Sequence, residues 1–276
     1  MTDTLYVNGC SWCQGYLLQE DPAVISYAES LGYEFLSDFR VKLHGEFVSD
    51  AYQPIYDEFN WAGILRKQLG IPKLVNQSLG AGSNARILRT TLDYVKTLSP
   101  EQRSKHLVVI GWTLPDRGEL YLDDRAGTQR WELFNAAQEW DSLTPPTIYA
   151  PEFRQRMTEF WRRYVTDVHS NYASVKLFFQ QSYLLANTLE NLGIRYYFFN
   201  TFPVFWGLDD PVQLESFNAD IEQHHYQLST MPVGQCFAQQ VSDRPEYLLS
   251  DGHPNSQGYK LWADTLYTAI TQRGLV

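Results

Sequence analysis

Cysteine is scarce in this chain: 3 in 276 residues. An odd, low count argues against a disulfide framework and makes a reducing, cytoplasmic setting the default. Basic runs are missing too. No Lys/Arg run exceeds two, and 22 basic against 32 acidic residues leave a net charge of -10. Binding to a phosphate backbone needs a basic footprint, so nucleic acid is not an expected partner. The acidic surface aids solubility and repels polyanions. No apolar run approaches the ~18 residues of a membrane span; the longest, Leu107–Trp112, is strand-sized. The N-terminus, MTDTLYVNGCSW, lacks both a basic n-region and an apolar h-region, so no signal peptide is expected. With no internal repeat and no Pro/Gly/Ser-rich linker, one domain over residues 1–276 is the expectation.

What is present is ordinary in bulk and heavy in rings. Apolar residues make up 44% and charged residues 20%, the composition of a folded soluble protein. Aromatics reach 15%, enough for a thick core or an aromatic-lined binding face. Four short apolar runs read as buried strands, each ending at a turn or polar residue: Leu5–Val7, Lys73–Asn76, His106–Ile110 and Arg195–Phe199. Helix-period faces lie between and after them. They are Phe59, Ala62, Leu65 and Leu69; Leu88, Leu92 and Val95, with Ser83 or Asn84 as N-cap; Phe178, Ser182, Leu185 and Leu189; and Tyr259, Trp262, Leu266 and Ile270. Pro151 suits the first position of another helix, running through Phe160 and Tyr164. Strands that are near-continuous apolar runs, alternating with helices, predict a parallel sheet covered on both faces. The fold expected is a three-layer α/β/α sandwich with about five strands. Insertions near 16–53 and 115–146 fit the alternation poorly. The second carries Trp131 and Trp140, which suit either a lid or peripheral packing.

In an open parallel sheet, ligands bind beyond the carboxyl ends of the strands. Those ends carry Gly9-Cys10-Ser11, the Gly-rich Asn76–Asn84 loop, Gly111-Trp112-Thr113 and Asn200-Thr201. Ser250-Asp251-Gly252-His253-Pro254 precedes the last helix. Ser11 is the candidate nucleophile, His253 the base and Asp251 the acid partner. A serine hydroxyl attacks only once a base takes its proton. A developing oxyanion needs fixed donors, often N–H groups of Gly-rich loops. Bland roles compete: Ser11 also suits a helix cap, and Asp251 and His253 suit a locally bonded turn.

These blocks resemble, in order along the chain, those of the SGNH (GDSL-like) hydrolases. Val7–Ser11 is similar to the first block, Asn76–Asn84 to the second, Val108–Thr113 to the third, and Asp251–Gly258 to the fifth. The resemblance implies an SGNH/flavodoxin-like fold and acyl-enzyme chemistry on a small ester or acylated substrate. It implies Ser11 as nucleophile and His253 as base. It also implies oxyanion donors at the Ser11 N–H, at Ala81 (five on from Asn76, with Gly80 or Gly82 one residue to either side) and at Thr113. No cofactor and no metal is expected. Three positions depart from the pattern. Cys10 stands where the family has Asp, Thr113 where it has Asn, and Ser250 three residues before His253 where the triad Asp is expected. Asp251, two residues before, is the substitute; a Ser–His dyad is the other possibility.

Trp112, Asn84 and Trp206 are the candidate substrate-binding residues, with core packing the competing role for the tryptophans. Cys10-Ser-Trp-Cys13 has a redox or half-zinc spacing, but no second pair matches it, and a packing role for Cys10 is preferred. His224-His225 reads as solvated surface. Acyl transfer from the same site, and a non-catalytic sugar or small-ligand binder on the same fold, stand as alternatives. Substrate identity and oligomeric state are not legible at this level.

Overall fold

The structure, a computed structural model, describes residues 2–15, 18–35, 41–44, 46–48, 52–123, 129–135, 151–203 and 236–276. In chain order the elements are β1 (Thr4–Asn8), α1 (Ser11–Gln14), α2 (Pro22–Ser30), β2 (Tyr33–Phe35), β3 (Val41–Leu43), β4 (Glu46–Val48), α3 (Tyr52–Phe59), α4 (Trp61–Gln68), β5 (Lys73–Asn76), α5 (Asn84–Val95), α6 (Pro100–Ser104), β6 (His106–Trp112), β7 (Arg117–Asp123), β8 (Gln129–Asn135), α7 (Pro151–Arg163), α8 (Asn171–Asn191), β9 (Arg195–Asn200), α9 (Phe237–Val241) and α10 (Ser256–Gln272).

All four apolar runs form one parallel sheet in the order β5-β1-β6-β9. That is four strands among the described residues, not about five. The next described stretch after β9 and its exit is Cys236–Val241, which is a helix with its cap rather than a strand. The alternation of side chains along each strand builds the two outer layers. Leu5, Val7, Leu107, Val109, Tyr197 and Phe199 face one cluster, shared with buried residues of α4, α9 and α10. Tyr6, Val108, Ile110, Trp112 and Phe198 face the other, shared with α5 and α8. Both faces being covered explains why the strands read as unbroken apolar runs. This is the three-layer α/β/α packing that the sequence implies.

Two expectations change in detail. The face Phe59–Leu69 is not one helix. Asn60 ends α3 and N-caps α4, its side chain accepting from the Gly63 N–H at 2.9 Å. The insertions are also not plain loops. Residues 16–53 hold α2 and the antiparallel sheet β2-β3-β4, and residues 115–146 hold the antiparallel hairpin β7-β8. Trp140, His224 and His225 lie outside the described residues.

Candidate active site

The site begins where β1 stops. Gly9 leads into Cys10, which takes the N-cap position of α1 without a side-chain cap bond. Ser11 is therefore the first helical residue and not the cap, so its hydroxyl is free for another partner. The helix is a single turn, closed by Gly15 at φ 90°. Its placement depends on Cys13, whose Sγ lies where side chains at Gly9 and Gly111 would be. A Cβ at either position would approach it to 2.3 or 2.5 Å. The two glycines let α1 settle onto the ends of β1 and β6.

Ser11 Oγ lies 3.0 Å from His253 Nε2. His253 Nδ1 lies 2.6 Å from Asp251 Oδ2, and Asp251 Oδ1 accepts the His253 backbone N–H at 3.0 Å. The two-residue spacing works because the turn folds back on itself. Gly252 adopts φ 85°, the Leu249 N–H reaches His253 O at 2.7 Å, and one Asp251 carboxylate serves both the turn and the imidazole. Ser250 does not substitute for the missing acid; its hydroxyl meets Glu20 at 3.4 Å. The loop is anchored behind His253 by Asn255, which N-caps α10 by accepting from Gln257 and Gly258. Trp12 packs beside the imidazole, 6.1 Å between ring centroids, and is held edge-on by Phe202 and Phe237.

The second block lies alongside. The Leu79 N–H donates to Gly9 O at 3.1 Å, tying the Gly-rich loop to the nucleophile turn. Three neighbouring N–H groups were candidates for the oxyanion, and the structure separates them. The Gly80 N–H is taken by Gln14 Oε1 at 2.7 Å, and the Gly82 N–H by Leu79 O at 2.9 Å. Only Ala81 keeps its N–H without a partner among the described residues, and it sits at φ 57°. A non-glycine residue in the left-handed region costs about 1–2 kcal/mol, and strain of this kind concentrates at functional sites.

Thr113 and Asn84 turn out to be coupled. Asn84 Nδ2 donates to Thr113 O at 3.1 Å, and Asn84 Oδ1 accepts the Thr113 N–H at 2.9 Å. Asn84 is thus a buried brace between α5 and the exit of β6, not a surface for ligand. Asn84→Ala leaves both Thr113 backbone groups buried without partners, so we expect a loss of about 2 kcal/mol, read as a lower urea midpoint at unchanged slope. The Thr113 hydroxyl is buried and meets the Cys10 sulfur, with no oxygen or nitrogen partner among the described residues. Trp112 is also corrected: it is fully buried, packed edge-on against Phe178 and Phe198, and belongs to the core. Its backbone sits at the site, but along β6 its side chain lies on the Ile110 face, opposite the face of Val109. Trp206 lies outside the described residues.

Cys10 and Cys13 are both buried free thiols. Burial pushes the Cys10 thiol up, but the Cys13 hydrogen bond and the Arg117 charge outweigh it and draw it down to about 5. Burial, and then the hydrogen bond and charge of Cys10, hold Cys13 well above the usual range. The pair therefore shares one proton near neutral pH. In the unfolded chain both thiols are protonated up to about pH 8.5. Folding then releases a proton, so this contribution to stability is complete above the unfolded value and is lost as pH falls through about 5. Between pH 6 and 8 the unfolding free energy of the parent should rise with pH more steeply than that of Cys10→Ser, by up to about 1.4 kcal/mol per pH unit. Parallel pH–stability curves for the two proteins would refute a thiolate at Cys10.

Among the described residues no group of three or more His, Cys, Asp or Glu is placed to hold a metal ion. Nor is any helix there long and apolar enough to cross a membrane. Sequence reasoning did not single out Trp12, Gln14 or Arg117 as site residues. Trp12 and Gln14 had one available signal, their place in the first turn after the nucleophile.

Fold and site together define a three-layer α/β protein whose Ser, His and Asp meet at the carboxyl edge of a parallel sheet. The chain belongs to DUF6071, a family of unknown function, which it matches over residues 47–276. Asp251 and His253 fall within that match, and Ser11 precedes it. No curated protein matches the sequence. Solved structures similar to this chain include esterase EstA from Pseudoalteromonas sp., at 12% identity and TM-score 0.47, covering 98% of this chain and 97% of that one. TesA is similar at 14% identity and TM-score 0.47, over 99% and 100% of the two chains. A member of the lipolytic protein G-D-S-L family from Veillonella parvula is similar at 10% identity and TM-score 0.40, over 98% and 97%.

Proposed function

We propose that the protein is a serine-dependent acyl hydrolase of SGNH type, acting on a small ester through an acyl-enzyme. The observation that carries this reading is the unbroken relay Ser11 Oγ, His253 Nε2, His253 Nδ1, Asp251 Oδ2, at 3.0 and 2.6 Å. With Asp251 accepting a proton held on Nδ1, Nε2 is left with a lone pair facing the Ser11 hydroxyl. His253 takes the Ser11 hydroxyl proton at Nε2 as Oγ attacks the ester carbonyl. The oxyanion is met by the N–H of Ser11, which as the first residue of α1 has no intrahelical acceptor, and by that of Ala81. The Thr113 hydroxyl, buried against the Cys10 sulfur, is not one of these donors. His253 returns the proton to the departing alcohol, and water repeats the attack on the acyl-enzyme. Transfer to an alcohol or amine would use the same intermediate; acylated product formed with an added acceptor would reveal it.

The test is labelling with a fluorophosphonate, read by intact mass and peptide mapping. We expect one adduct, on Ser11, absent in Ser11→Ala and in His253→Ala. A folded parent that takes up no label would overturn the nucleophile assignment and favour the non-catalytic binder.

A further inference from the structure

Arg117 opens the β7-β8 hairpin just past the exit of β6, its N–H closing a turn onto Leu114 O at 3.2 Å. Its Nε and Nη1 are buried from solvent and have no hydrogen-bond partner among the described residues. That is unusual, because buried polar groups are nearly always hydrogen-bonded. The acid that should serve it is already committed. Glu119, two residues on and so on the same face of β7, is buried and held by Arg89 through two bonds of 3.0 and 2.8 Å. The Arg117 guanidinium instead lies 5.5 Å from the Phe202 ring centroid. Phe202 packs on Trp12, and Trp12 on His253, with 5.1 and 6.1 Å between centroids. Arg117 thus stands one ring beyond the tryptophan that flanks the catalytic histidine. Its charge acts on the Cys10 sulfur, but no carboxylate among the described residues meets its Nε or Nη1.

We infer that Arg117 binds a carboxylate carried by the ester substrate; the proposal rests on the hydrolase reading and names the substrate class of that site. A guanidinium with free donors matches a planar carboxylate. Two free N–H donors fit one planar monoanion, whereas the acidic protein opposes a dianionic phosphate. Phe202 and Trp12 would line the path between the carboxylate and the ester carbonyl.

The experiment compares mono-4-nitrophenyl glutarate with neutral 4-nitrophenyl valerate on the parent, Arg117→Gln and Arg117→Lys. Glutarate binding by calorimetry is measured alongside, on Ser11→Ala with and without Arg117→Gln. We expect the parent to favour the anionic ester. In Arg117→Gln the ratio of kcat/KM values, anionic over neutral, should fall on the order of 10²-fold. Arg117→Lys should keep part of the preference, and glutarate binding should require Arg117. Equal ratios in parent and Arg117→Gln, with glutarate binding indifferent to the change, would overturn the proposal while leaving hydrolysis standing. Neither ester turned over, with glutarate binding still dependent on Arg117, would remove the hydrolase reading and keep the anion site.

Discussion

Ser11→Ala should lower kcat on activated esters by on the order of 10⁴–10⁶-fold, comparable with losses measured for serine nucleophiles in triads of this geometry. Ser11 Oγ is the group that meets His253 Nε2, whereas at the same edge Ser83 Oγ accepts the Arg86 N–H, the Thr113 hydroxyl meets the Cys10 sulfur and the Thr201 hydroxyl meets the Cys13 sulfur. The fold should barely respond, because the variant removes one oxygen and one hydrogen bond, worth about 1 kcal/mol. Ser11→Ala combined with His253→Ala should be no worse than either alone, since the two act as one unit. Steady-state kinetics beside circular dichroism decide the matter. A folded variant within tenfold of the parent rate would remove Ser11 from the mechanism.

Asp251→Asn should cost roughly 10³–10⁴ in kcat with little change in stability. Its amide oxygen can still accept the His253 backbone N–H, so the turn keeps its shape. The amide NH₂ then faces Nδ1, and Nδ1 must become the acceptor. The proton moves to Nε2, which can no longer take one from Ser11. The neighbouring Ser250→Ala tests the same point from the other side. Ser250 lies where the triad acid is expected by spacing, yet its hydroxyl contacts Glu20. Its loss should leave kcat within about threefold, as for a surface change away from the chemistry. A large loss in Ser250→Ala, with none in Asp251→Asn, would show that the histidine is oriented by something other than Asp251.

How much of this was legible in the residues depends on how local each feature is. The strands at Leu5, Leu74, Val108 and Phe198 declare themselves because burial on both faces demands unbroken apolar runs. The helix at Ser256–Gln272 declares itself through Tyr259, Trp262, Leu266 and Ile270, all buried. The break at Asn60 was not legible, because its neighbours keep the helical period on both sides and only the cap bond to Gly63 ends the run. The rings were the poorest guide. Trp112 sits in the right place along the chain but points into the core, whereas Trp12, not singled out as a site residue, flanks the histidine.

The sequence by itself determined the layer order, the edge of the sheet at which chemistry is placed, and the identities of Ser11, His253 and Asp251 as a candidate set. These follow from periodicity and from which residue types stand just after each strand, and both are local properties. Only the tertiary structure decided that Asp251 reaches the imidazole from two residues away and that Ala81 keeps a free N–H while Gly80 and Gly82 do not. It alone shows that Glu119 is spent on Arg89, leaving Arg117 Nε and Nη1 without a carboxylate partner among the described residues. Each of those facts concerns which hydrogen-bonding groups are already occupied, and occupancy is settled by partners far away in the chain and close in space.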